Sequence, residues 1–155
     1  MKIYTSYFYQ VRNLPKNAIP LSTAKWDPAW FHANKGPSYA FRDKRGIING
    51  LRAEEFVCEE PMINQLTDEG QMCHKSCKIA IPCRFMELYG EFLDRLNFEA
   101  VMAHFEAITK NVSVDDPFIV LLVHEGPLCK CAERPVIQQW FAKHGITVDE
   151  WSPNI

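Results

Sequence analysis

At 155 residues, 47% hydrophobic and 23% charged, the chain has the composition of one ordinary globular domain with a sizeable core, which excludes fibrous and disordered classes. A formal net charge of −2 excludes a chain-wide electrostatic grip on nucleic acid and leaves only a local basic patch as a route to it. No apolar run approaches the length of a membrane span, and MKIYTSYFYQ lacks the apolar centre of a cleavable signal, so a cytoplasmic location without a membrane partner is expected.

Residues 3–9 are β-branched and aromatic and predict a first strand. After the break at Asn13 and Pro15, residues 18–21 predict a second strand. Residues 22–30 read as a loop, with Asp27-Pro28 as its turn signal. From 31 to 72 the pattern is irregular and charged, with at most a short helix near 52–56; a stretch of this kind within a compact domain points to function or partial mobility. Helical spacing returns at Arg84, where Phe85, Leu88, Phe92 and Leu96 repeat and Leu93 widens the stripe. Asn97 reads as the N-cap of a second helix whose apolar face is Phe98, Val101, Met102, Phe105 and Ile108. Residues 118–123 form an unbroken apolar run, which marks a strand buried on both faces in a parallel sheet. Val136, Ile137, Trp140 and Phe141 then form a helical face ending at Gly145, and residues 146–151 predict an edge strand. The sum is an α/β, three-layer domain with a small, mainly parallel sheet of roughly four strands flanked by helices, spanning residues 1–155.

In open α/β sheets the strand C-termini and helix N-termini converge on a crevice where ligands bind. The segment 118–141 places His124, Glu125, Cys129, Cys131 and Arg134 in one such loop. Pro135 belongs in a helix's first turn, so this helix begins between Cys131 and Arg134. Cys131 beside free N–H groups and Arg134 is then the candidate nucleophile, and Glu125 and His124 are candidates for proton transfer. The bland alternative pairs Glu133 with Arg134 at the helix end and lets the cysteines pack. Ser6, Tyr7, Ser22, Lys25 and Trp30 follow the first two strands and would line the same crevice with Arg134, binding phosphate, ribose or a base. A phosphatase is disfavoured, because Cys129 to Arg134 is one residue short of a Cys-x5-Arg loop and lacks glycines.

Six cysteines are many for this length, and with no secretion signal they are expected to be reduced. On the same ground Asn111-Val112-Ser113 reads as a loop and not a glycosylation acceptor. Cys73, His74, Cys77 and Cys83 bring three thiols and an imidazole together, but without the paired spacing of zinc knuckles no metal is assigned to them. No cofactor is assigned either.

On these residues the chain resembles the DUF488 family of small, uncharacterised α/β proteins. Residues 1–8 look like its opening strand. Ile19-Pro20-Leu21-Ser22 with Pro28 and Trp30 is similar to its second strand and Pro-x-Trp turn. Residues 121–140 look like its signature, with Glu125, Pro127 and Cys131 in register and Ala132-Glu133-Arg134 where the family has His-Arg-His. The resemblance implies the fold and the location of the site, and it leaves the activity open. The expected function is binding of a nucleotide-related or phosphate-containing small ligand at the strand C-termini, as an enzyme or otherwise. The competing expectation is a non-enzymatic protein- or nucleic-acid-interaction module acting through 31–72. There Arg42, Lys44, Arg45 and Arg52 alternate with Tyr39 and Phe41, before the acidic Glu54, Glu55, Glu59 and Glu60.

Overall fold

The computed structural model describes residues 1–33, 46–70, 83–126, 129 and 132–153. Its strands are β1 (Ile3–Tyr7), β2 (Ala18–Ser22), β3 (Phe31–Ala33), β4 (Ile48–Arg52), β5 (Phe118–Val123) and β6 (Asp149–Glu150). Its α-helices are α1 (Glu60–Asp68), α2 (Arg84–Asp94), α3 (Phe98–Asn111) and α4 (Glu133–Lys143), with 3-10 helices at Phe8–Asn13 and Glu54–Phe56. The strands form one six-stranded sheet in the order β3-β4-β2-β5-β1-β6, and every pairing is parallel. The class is α/β, as the sequence implies, with six strands and not four.

The unbroken apolar run lies at the centre. β5 pairs with β1 from Ile3↔Ile119 to Tyr7↔Val123 and with β2 from Ala18↔Phe118 to Ser22↔Leu122. Successive side chains alternate across the sheet. Ile119 and Leu121 therefore join a core with Ile19, Leu21 and Leu51 and with residues of all four α-helices. Val120 and Leu122 face the other way, onto Phe8, Val11, Leu14, Phe31 and Trp151. The third layer is thus a 3-10 helix and loops. β1 and β2 flank β5, so the connection between them must cross β5, and Phe8–Asn13 makes that crossing. This is why the first strand stops at Tyr7, two residues before the β-prone run ends.

The irregular segment contains the two missing strands, β3 and β4, together with Glu54–Phe56 and α1. β3 and β4 are short and buried on both faces only in part, so neither alternation nor an apolar run announces them. Residues 34–45 lie outside the described region, and Tyr39, Phe41, Arg42, Lys44 and Arg45 with them. β6 is only two residues long, although the Trp151 N–H still donates to the Thr5 carbonyl at 2.8 Å and extends the edge.

The helix signals hold. The Asn97 side chain accepts the Ala100 N–H at 2.9 Å, capping α3. Gly145 takes φ +80° after α4, and its N–H and that of Ile146 bond back to Ala142 and Phe141. Between helices and sheet, Phe56 stacks on Phe105 and Phe141 and meets Trp140 edge-on. A second glycine matters for packing. A Cβ on Gly50 of β4 would lie 2.6 Å from the Pro20 carbonyl oxygen and closer still to Phe31 Cζ. Gly50→Ala is expected to cost about 2 kcal/mol in urea unfolding, by forcing β4 away from β2 and β3. A variant as stable as the parent would show that this edge of the sheet yields freely.

Candidate functional site

Because every strand runs the same way, Tyr7, Ser22, Arg52 and Val123 end on one edge of the sheet, and their loops build the site there. The alternation of β5 then separates two neighbours that the sequence reads as partners. Glu125 emerges on the side of the α-helices, and His124 on the side of the 3-10 helix.

On the helix side, α4 starts at Glu133, with Ala132 extended at φ −150° as its N-cap and no side-chain cap. Adjacent helical residues point about 100° apart. Arg134 accordingly does not pair with Glu133. It is buried, and its Nη1 donates to the Glu125 carbonyl at 3.0 Å while Nε meets Glu150 Oε2 at 2.7 Å. Its guanidinium also sits 6.0 Å from the Tyr7 ring centroid. Arg134 thereby ties the β5 loop to β6, with two of its nitrogens committed to protein acceptors.

Glu133 turns instead toward Glu125 and Cys58. Burial, then the negative charge of Glu125 and a hydrogen bond with it, push the Glu133 carboxyl up to about 8. The Glu125 Oε2 atom is buried with no other hydrogen-bond partner among the described residues, so the proton held between the two carboxyls is what satisfies it. Cys58 Sγ lies 4.0 Å from Glu133 Oε1. Burial and the charge of Glu133 push this thiol up to about 12. Cys58 is therefore a protonated, poorly nucleophilic neighbour. In the native protein at pH 8 it should alkylate at least about a hundredfold more slowly than after unfolding in urea. Equal rates, measured by mass spectrometry, would mean that the thiol is neither buried nor faced by carboxylates. Lys25 forms an ion pair with Glu60, and its charge partly offsets the carboxylates acting on Cys58.

On the opposite side, the Ser22 hydroxyl donates to Asp27 Oδ1, and Asp27 Oδ2 lies 2.8 Å from Arg52 Nη1. Arg52 also reaches Glu54 and the Ala24 carbonyl, both at 2.6 Å. This network closes the β2 and β4 ends and uses up Ser22 as a ligand contact. His124 Nε2 bonds to the Trp26 carbonyl at 2.5 Å, so that nitrogen is the N–H donor, and its ring lies 4.8 Å from Phe8. His124 thus holds the Trp26 loop and does not share a centre with Glu125. Trp30 packs edge-on to Phe8 at 6.3 Å, under Arg12. Ser6 is buried on this same side with its Oγ unpartnered among the described residues.

The site residues expected from the sequence therefore divide. Tyr7, Glu125 and Arg134 meet on the helix side, with Lys25 near Cys58; Ser6, Ser22, Trp30 and His124 lie on the other. Cys131 is outside the described residues, as are Cys73, His74 and Cys77. Cys83 is disulfide-bonded, which corrects the expectation of six reduced thiols. Among the described residues no group of three or more His, Cys, Asp or Glu is placed to hold a metal ion, and no helix is long and apolar enough to cross a membrane. Sequence reasoning missed Glu133 and Cys58. The angular divergence of neighbouring residues at a helix start was the available signal for Glu133, whereas no motif marks Cys58.

Searches of family models, curated proteins and solved structures find no match to this chain.

Proposed function

We propose that the crevice at the strand C-termini binds a nucleotide-related small ligand, with Glu125 and Glu133 acting as a proton-sharing pair on its sugar or base. The observation that supports this reading is a buried Glu125 oxygen whose one donor is the shared proton of Glu133, a carboxyl that stays protonated to about pH 8. A ligand hydroxyl or ring N–H takes the place of the shared proton at Glu125, which leaves Glu133 free to offer that proton near neutral pH, the condition for general acid–base work. The electrostatics favour a neutral group at this spot over a phosphate. Glu125 and Glu133 form it, and the cations nearby, Lys25 and Arg134, already face Glu60 and Glu150. Any phosphate of the ligand is directed away from the pair. The resemblance to the DUF488 family at residues 1–8 and 121–140 belongs to this proposal and points to the same edge of the sheet.

Thermal-shift screening of nucleosides, nucleotides and sugar phosphates tests the reading. Wild type should gain several degrees with at least one nucleoside-bearing ligand, and Glu125→Gln should lose most of that gain. Identical profiles for the two proteins across the panel would remove the carboxyl pair from ligand binding.

A further inference from the structure

The face of the sheet opposite the carboxyl pair carries two exposed cations, Arg12 and Lys16, beside the Asp27–Arg52–Glu54 network. The first twenty-six residues contain Lys2, Arg12, Lys16 and Lys25 and no Asp or Glu, in a chain whose overall charge is −2. The crossover from β1 to β2 runs over this face from the C-terminal end of one strand to the N-terminal start of the next. It therefore spreads Tyr9, Arg12 and Lys16 along the outside of the layer, all three exposed. Neither Arg12 nor Lys16 is in an ion pair among the described residues.

Two large aromatic side chains stand in solvent at the upper end of this track, Tyr9 at 85% and Trp26 at 76% exposure. Lone exposed aromatics need no explanation. Both follow strand C-termini on the same edge, Tyr9 after β1 and Trp26 after β2, and a set of contacts links the residue next to Tyr9 with the Trp26 backbone. Phe8, next to Tyr9, lies 4.8 Å from the His124 ring, and His124 Nε2 holds the Trp26 carbonyl. On Phe8's other side is Trp30, capped by the Arg12 guanidinium at 5.7 Å. The Trp26 loop is fastened on both flanks, by the Lys25–Glu60 pair and by Asp27 bonded to Ser22 and Arg52. An indole displayed on a fastened loop is a preorganised platform, and the order lost on stacking a flat ring against it is small.

We propose that this face binds single-stranded nucleic acid, with bases stacking on Trp26 and Tyr9 and the backbone phosphates running past Arg12 and Lys16. Aromatic platforms beside a strip of unopposed cations are what sequence-tolerant single-strand binding requires. The site is independent of the Glu125–Glu133 pair, which lies across the sheet.

Fluorescence anisotropy of a labelled oligothymidylate with the full chain at low salt tests it. Trp26→Ala should weaken binding about tenfold or more, with an unchanged circular dichroism spectrum because the side chain is exposed. Arg12→Gln and Lys16→Gln should each lower the slope of log affinity against log salt by about 0.7. Glu125→Gln should leave affinity unchanged, so that failure here and failure of the carboxyl-pair reading are separable. The proposal is overturned by no binding at low salt, or by Trp26→Ala and Tyr9→Ala binding like wild type. It is equally overturned if a duplex of the same length binds as tightly, or if thymidine monophosphate alone binds as tightly as the oligomer.

Discussion

Arg134→Met should lower stability by about 3 kcal/mol, or about 6–12 °C in melting temperature, although the substituted group is buried from solvent. The wild-type guanidinium is only 4% exposed and serves two acceptors on different elements, Glu150 Oε2 of β6 and the Glu125 carbonyl after β5. Methionine fills most of the volume and supplies neither bond. Glu150 is then left with both carboxylate oxygens unpartnered, since its Oε1 is already buried without a partner among the described residues. Burial holds the Glu150 carboxyl up to about 7 even with Arg134 opposing it, and without Arg134 it rises further. The loss should accordingly be largest above pH 7, where the stranded group is charged, and smaller at pH 5, where it is neutral. Arg134→Lys should recover only part, because one ammonium cannot serve two acceptors set apart by a planar fork. Urea titrations at the two pH values measure this. A Met variant within about 0.5 kcal/mol of wild type at pH 8 would show that β6 is not held through this residue.

What the sequence displayed of this fold follows from which elements carry their own period. The apolar strand β5, the stripes of α2 and α3, the Asn97 cap and the Gly145 stop are each fixed by local residues, and each appears where its pattern puts it. β3 and β4 have no such pattern. They are short edge-side strands whose conformation is imposed by pairing along the sheet, with Gly50 chosen for the close approach of Phe31 and Pro20. The 3-10 helix after β1 is likewise set by topology, since β-prone Phe8 and Tyr9 must turn to carry the chain across β5.

The site was legible as a location and not as a constellation. The convergence of Glu125 and Arg134 at the strand end is written in 118–141, because a parallel strand followed by a helix has one geometry. The grouping of His124 with Glu125 was not recoverable from adjacency, because a strand sends neighbours to opposite faces, and the same rule at the helix start separates Glu133 from Arg134. Cys58 reaches the pair from a segment with no period at all, 75 residues earlier in the chain than Glu133.

Glu133→Gln should invert the usual expectation for a buried polar substitution and stabilise the protein at alkaline pH, by on the order of 3 kcal/mol at pH 9. The wild-type carboxyl has a folded value of about 8, well above the 4.5 of an ordinary glutamate, because burial and Glu125 penalise its charge. The folded state therefore binds more protons than the unfolded state between those limits. Stability is full below about pH 4.5 and falls as pH rises through 8. Glutamine removes the ionisation and keeps the shape, and its amide can donate to Glu125 in place of the shared proton. The variant should thus decline less steeply than wild type between pH 7 and 9, the remaining slope there coming from Glu150 and from Cys58, whose thiol is pushed up to about 12. A residual slope should remain at lower pH, since Glu150 also titrates above its ordinary range, at about 7. Glu133→Ala serves as the control, because it leaves a void beside Cys58 and should destabilise at every pH. Urea midpoints across this range decide the matter. If wild type and Glu133→Gln trace parallel curves from pH 5 to 9, Glu133 carries no shared proton, and the carboxyl pair has no acid to offer a ligand.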